Sequence, residues 1–193
     1  MSSTNAPYGL IPVMHGSGGQ VRNQVLLNGI TSGYTADIGY GSPVRLDPTT
    51  RKIVIAPATG DIYGVFAGVI YKRTLSDTLV TFAKNWSANT TYVGDIQVCV
   101  WTDPNITYKI QANGSLLEAN ALGNQANLVN PGVVSSIGDS TATISTTLAG
   151  TGVQAQLRII DLHRAIDNAW GDAFTQVQVQ IAQQQYVANK TAV

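Results

Sequence analysis

The chain has 193 residues, of which 11 are Lys or Arg and 11 are Asp or Glu, so its formal net charge is zero. That balance argues against a basic nucleic-acid surface, where Lys and Arg must displace phosphate counterions, and against a polybasic membrane-surface protein. A hydrophobic share of 44% excludes a wholly disordered chain.

The polar remainder is mostly uncharged: 20 Thr, 12 Ser, 13 Asn and 13 Gln, together 58 residues. Glu118 is the only glutamate. Few Glu, few Lys and 19 Gly leave few good helix formers, whereas Thr, Val and Ile suit a pleated, half-buried surface. The composition therefore predicts a β-rich protein. Weak surface charge gives little self-repulsion and promotes association, which points to a component of an assembly. The segment from Met1 to Pro7 has neither a basic start nor an apolar h-region, so no signal peptide is expected. No apolar run approaches 18 residues, so no spanning helix is expected.

In chain order, residues 1 to about 33 read as an extended arm. Pro7, Pro12, Gly16, Gly18, Gly19, Gly29 and Gly33 interrupt any periodicity. Such an arm is expected to gain order by pairing with a neighbour's sheet edge. A β-rich body follows over 34–186, then a C-terminal tail over 187–193. Strands are expected over Ser42–Leu46, Arg51–Ala56 and Tyr63–Tyr71. Tyr63–Tyr71 is the most apolar run, and its Gly64 and Gly68 suit a bulge or a close backbone approach. Ile96, Val98 and Val100 alternate with Gln97 and Cys99, and Ile106, Tyr108 and Ile110 alternate with Thr107 and Lys109. A short helix is expected over Leu116–Ala126. Thr141–Leu148 and Leu157–Leu162 are further strand candidates, with another helical turn over 161–170. Val177, Val179 and Ile181 alternate strictly with Gln178 and Gln180, the pattern of a half-buried strand. Eight to ten closely spaced strands predict an all-β domain, jelly-roll or barrel-like.

No chemistry-bearing motif is well formed. The segment His15–Val21 is glycine-rich, but Val21 stands where a dinucleotide fingerprint needs glycine, and no Lys-Ser/Thr follows. It reads as a segment of the arm. Asp161, His163, Asp167 and Asp172 are the nearest approach to a constellation, and on an extended strand Asp161 and His163 would share a face. With no nucleophile elbow beside them, surface or hydrogen-bonding roles are expected. Asp95 and Asp103 read as turn residues. Asn85, Asn89, Asn105, Asn113 and Asn189 fit the glycosylation sequon only through the abundance of Asn, Ser and Thr. Cys99, the only cysteine, reads as a packed thiol. Trp86, Trp101 and Trp170, with Tyr63, Tyr71 and Tyr92, read as core or interface anchors ahead of a sugar-binding groove. No catalytic, cofactor-binding or metal-binding residue is expected.

Several blocks together resemble a known family. They are Ala6-Pro7-Tyr8-Gly9-Leu10, then Gly64–Val69 with Tyr71 and Trp86, then Trp101-Thr102-Asp103-Pro104-Asn105 running to Ala112. Asp167-Asn168-Ala169-Trp170-Gly171-Asp172-Ala173-Phe174-Thr175 follows, ahead of Val177–Gln185. Their order is similar to that of small virion structural proteins from the head gene clusters of tailed bacteriophages, some of them capsid cement or decoration proteins. The similarity spans most of residues 6–186. The chain departs from the family at Thr102-Asp103, where an acidic pair is usual, and at Gln183–Tyr186, where a histidine is usual. The resemblance implies a non-enzymatic protein on the capsid surface, without cofactor, made in the host cytoplasm. It implies the major capsid protein as partner, a homotrimer, and no direct contact with nucleic acid or membrane. The alternative is a head–tail or fibre component with a carbohydrate-binding face. From the residues themselves, the 167–175 block is expected to be a structural corner that sets the register of the last strand, with Trp170 buried as its anchor.

Overall fold

The structure, a computed structural model, describes residues 4–31, 33–88 and 90–188. It is all-β apart from one four-residue helix, α1 (Glu118–Ala121), and forms two antiparallel sheets. Sheet A contains β1 (Ile11–His15), β8 (Ile106–Gln111), β12 (Gln176–Ile181), β11 (Leu157–Leu162), β9 (Gln125–Val129) and β10 (Thr143–Leu148), in that spatial order. Sheet B orders β2 (Gln24–Leu27), β7 (Val93–Trp101), β5 (Gly64–Lys72), β3 (Pro43–Leu46) and β4 (Ile53–Ile55), with β6 (Thr81–Ala83) also paired to β5. One parallel bridge, Ala112 to Ile144, curls sheet A toward itself, but the barrel is not closed.

Two cores explain the sequence patterns. The first lies between the sheets and joins Ile106, Tyr108, Val177, Val179 and Ile159 of sheet A to Val65, Ala67, Cys99 and Trp101 of sheet B. The second lies on the opposite face of sheet B, where Val44, Phe66, Val69, Ile96, Val98 and Val100 meet Ile30, Ile38 and Trp86. Strand β5 is therefore buried on both faces, which is why its sequence is a continuous apolar run and not an alternation. β12 has one buried face and alternates strictly, Val177, Val179 and Ile181 inward and the glutamines half-buried.

The expected arm is part of the body. β1 is an edge strand of sheet A, paired with β8, and β2 is an edge strand of sheet B, paired with β7. Leu10 lies in the first core and Ile30 in the second, both fully buried. Pro12 is tolerated because an edge strand has one side that need not donate. The prolines and glycines conceal two short strands whose partners are this chain's own sheets. Residues 1–3 and, in the expected tail, 189–193 lie outside the described residues. The expected helix over Leu116–Ala126 shrinks to α1, and its C-terminal end becomes β9, because pairing with β10 and β11 overrides weak local propensity. No helical turn opens at 161: β11 continues through Leu162, and a bulge falls between Ile159 and Asp161.

The abundant side-chain amides act as substitute peptide groups. Gln185 receives the Leu46 N–H at 2.7 Å and donates to the Leu46 carbonyl at 3.0 Å, as a neighbouring strand would. Gln111 does the same for the N-terminal segment, accepting from Ala6 at 3.1 Å and donating to the Thr4 carbonyl at 3.0 Å. Gln156, fully buried, accepts from Leu128 at 3.0 Å and donates to the carbonyls of Pro57 and Gly60 at 3.0 and 2.9 Å. A buried backbone group needs a partner, and a neutral amide supplies donor and acceptor without the desolvation cost of a charge.

Candidate functional site

Asp161, His163, Asp167 and Asp172 do not converge on a reaction centre. Asp161 accepts from its neighbour Leu162 at 2.7 Å and pairs loosely with Arg164 at 3.4 Å. Asp167 is exposed. Asp172 accepts the Ala169 N–H at 2.9 Å. Burial, then the nearby Lys109 charge, holds the His163 ring below its ordinary pKa. Among the described residues there is no group of three or more His, Cys, Asp or Glu that could hold a metal ion.

The 167–175 block forms a corner between β11 and β12. Asn168 is its centre: Nδ2 donates to the carbonyls of His163 and Gln176 at 2.7 and 2.8 Å, and Oδ1 accepts the Gln176 N–H at 2.9 Å. One amide thus joins the end of β11 to the first residue of β12. Thr175, fully buried, donates to the Asp172 carbonyl and accepts from Leu116 N–H, both at 3.0 Å. Gly171 takes φ +86°, which other residues resist, and donates to the Leu116 carbonyl at 2.8 Å. Trp170, expected as a buried anchor, is only half-buried and packs against the margin of the first core. A nine-residue block with two exposed alanines and one exposed glycine has too little cover to enclose an indole.

Of the other aromatic residues expected as anchors, Trp86, Trp101, Tyr63 and Tyr71 are buried and Tyr92 is half-buried. Trp86 is 1% exposed between Tyr71 and Tyr92, with ring centroids 6.3 and 5.8 Å away. Trp101 is buried edge-on to Tyr40 at 5.4 Å. Tyr63 is buried against Tyr186. The buried rings of Trp86, Trp101, Tyr63 and Tyr71 offer no stacking face for a sugar. Cys99 is buried, and desolvation pushes its thiol pKa up, so it packs as an apolar side chain. Of the sequon positions, Asn113 is held by Thr146, whose N–H it accepts at 2.9 Å, while Asn89 and Asn189 lie outside the described residues.

One polar cluster was not legible in the sequence. His15, at the end of β1, meets Asp103 in the β7–β8 turn, Nε2 to Oδ2 at 2.9 Å, although 88 residues separate them. Its Nδ1 lies 2.7 Å from Ser17 Oγ and accepts the Ser17 N–H at 3.2 Å. That donation fixes Nδ1 as acceptor and Nε2–H as donor to Asp103. Gly16 N–H donates to the Asn105 carbonyl at 2.8 Å. A pocket of about 300 Å3, lined also by Gln20 and Arg22, opens beside them. The order Asp–His–Ser has the members of a nucleophilic triad, but Ser17 sits two residues from its histidine in an exposed turn, and its own amide shares the nitrogen a base would use. The arrangement acts as a clasp that pins β1 to the β7–β8 turn. Burial raises the Asp103 carboxyl pKa, but the Asn105 amide and His15 outweigh it and leave it below the usual range. A lowered folded-state pKa gives stability that is complete above the unfolded carboxylate pKa and lost as pH falls through the folded value. Asp103→Asn should therefore speed amide hydrogen exchange in β1 at neutral pH. The parent should show that faster exchange, after correction for intrinsic rates, only on acidification through the carboxylate range.

The most unusual surface lies at the far end of sheet B. Phe82, Ile70, Gln97 and Leu27 form one cross-strand row over β6, β5, β7 and β2. Ile70 packs against the first core, so this row is on the face directed at sheet A. Beyond that cover, Phe82 is 63% exposed and Leu27 68%. The β5–β6 loop adds Leu75, Leu79 and Val80, at 89%, 80% and 60%. Phe82 lies across Gly68, where φ is +134° and a β-carbon would come within 3.0 Å of the ring. Neither local sequence nor alternation marks this rim, because pairing of four strands brings Leu27 and Phe82 into one row. No family model, no curated protein and no solved structure matches the chain.

Proposed function

We propose that the chain is a non-enzymatic virion structural protein of a tailed bacteriophage, a cement or decoration protein that binds the major capsid protein of the assembled head. The phage assignment rests on the sequence resemblance. The apolar rim of sheet B supports a place within an assembly, since an exposed patch of that kind marks an interaction surface. The rigid two-core body and its neutral, amide-rich bonding support the same reading: a protein built to occupy a lattice needs shape and surface more than a reactive centre. A cement protein that binds only the assembled shell stabilises it by linkage. Closed symmetry, here a homotrimer, is the natural form at a shell position. The fibre alternative, with a sugar-binding face, has four of its six candidate rings, Trp86, Trp101, Tyr63 and Tyr71, buried in the cores.

Purified chain mixed with assembled capsids should co-sediment in a fixed copy ratio and raise the temperature at which they lose DNA. Absence of co-sedimentation with both compact and expanded shells overturns the reading. In the same preparation, duplex DNA should show no salt-dependent retention, because a chain of net charge zero offers no basic surface to displace the counterions of the phosphates.

A further inference from the structure

We infer that the apolar rim at the far end of sheet B is the surface through which copies of this chain join one another. The inference deepens the proposed function and rests on it only for the setting in which the copies act. Leu27, Leu75, Leu79, Val80 and Phe82 are each at least 60% exposed, and together they leave on the order of 600 Å2 of apolar surface in water, at the top of the range for a monomer's largest patch. Each partner in a standard interface buries about 800 Å2, so this rim and its margin match one side of a stable contact.

Charge and shape favour a second copy over a differently charged partner. Lys72 and Asp95 lie beside Leu75 and Val80, and Arg73 and Asp77 beside Leu79, so the rim carries both signs in equal number. Backbone and hydroxyl donors of Thr74, followed by the Arg73 amide, hold the Asp77 carboxyl below its usual range, keeping it ionised. A patch with balanced charge meets its own copy without net repulsion, whereas a strongly acidic or basic partner gains nothing from it. Beside the row, Lys72, Leu75, Val80, Val93, Gly94 and Asp95 line a hollow of about 320 Å3. The protruding Leu79 and this hollow belong to one surface, so the rim offers both a knob and a socket.

The test is the oligomeric state of the full chain by sedimentation equilibrium from 1 to 100 µM, with Leu79→Asp and Leu27→Asp beside it. The parent should form a closed oligomer, and each variant should weaken assembly at least tenfold while melting within about 2 °C of the dissociated parent. Both side chains face water, so their loss leaves the fold intact. A monomeric parent throughout the range overturns the inference, as does an oligomer that both variants leave unchanged. Capsid co-sedimentation separates the two proposals: a monomer that binds shells overturns only the inference, and an oligomer that ignores them overturns only the proposed function.

Discussion

Asn168→Asp should destabilise the fold by about 3 kcal/mol at neutral pH, although it changes only one atom of the side chain. Asn168 is 7% exposed, and its Nδ2 gives both hydrogens to backbone carbonyls, those of His163 and Gln176. A carboxylate oxygen in that place would face two acceptors and donate nothing. Asn168→Ala removes the repulsion but leaves the Gln176 N–H and the His163 carbonyl without the amide, while the Gln176 carbonyl keeps the His163 N–H at 3.0 Å, so its cost should be similar or smaller. The pH dependence separates the two variants. Protonation restores one donor to the introduced carboxyl, so its folded-state pKa is raised above the unfolded value. Stability of Asn168→Asp is thus expected to recover on acidification below the unfolded carboxylate range and to be lost as pH rises through the folded pKa. Asn168→Ala should lack that recovery relative to the parent. Trp170→Ala, half-buried, should cost less than the ~3–5 kcal/mol of a fully buried aromatic truncation. Chemical denaturation of the variants at pH 7 and pH 4 checks all of these. If Asn168→Asp is as stable as the parent at pH 7, the corner does not set the register of β12.

Gly64→Ala should cost about 3 kcal/mol, the upper part of the range for adding one carbon to a packed interior. Gly64 is the first residue of β5, a central strand of sheet B, with β3 on one side and β7 on the other. A β-carbon there would lie 2.3 Å from the Trp101 carbonyl oxygen and 2.8 Å from Val100 Cγ1. The first of these is backbone held in the ladder, so no side-chain rotation relieves it. The variant must open the β5–β7 pairing where Val65 meets Trp101. Gly132→Ala serves as the comparison: its β-carbon would meet only Ile55 Cγ2 at 3.4 Å, in ordinary contact on an exposed turn. Thermal unfolding should show a large loss for the first variant and little change for the second.

Strands appeared in the sequence wherever periodicity was set by burial on one or two faces of a single segment. β12 alternates because one face is covered, and β5 is uniformly apolar because both are. Gly64 and Gly68 were legible as a close approach and a bulge, since only a missing β-carbon permits either. The 167–175 corner could also be read, because its Asn, Gly and Asp bond within a few residues of themselves. β1, β2, β6 and β9 were not legible. Each has five residues or fewer, and each owes its conformation to a partner strand rather than to its own composition. The His15–Asp103 clasp and the Gln111, Gln156 and Gln185 bridges join residues 28 to 139 positions apart. Which amide meets which backbone is decided only when the sheets have packed. The same holds for the apolar rim: the sequence determined that Leu27, Leu75, Leu79 and Phe82 are apolar, and the tertiary structure alone decided that they stay exposed, Leu27 and Phe82 in one cross-strand row and the other two in the β5–β6 loop.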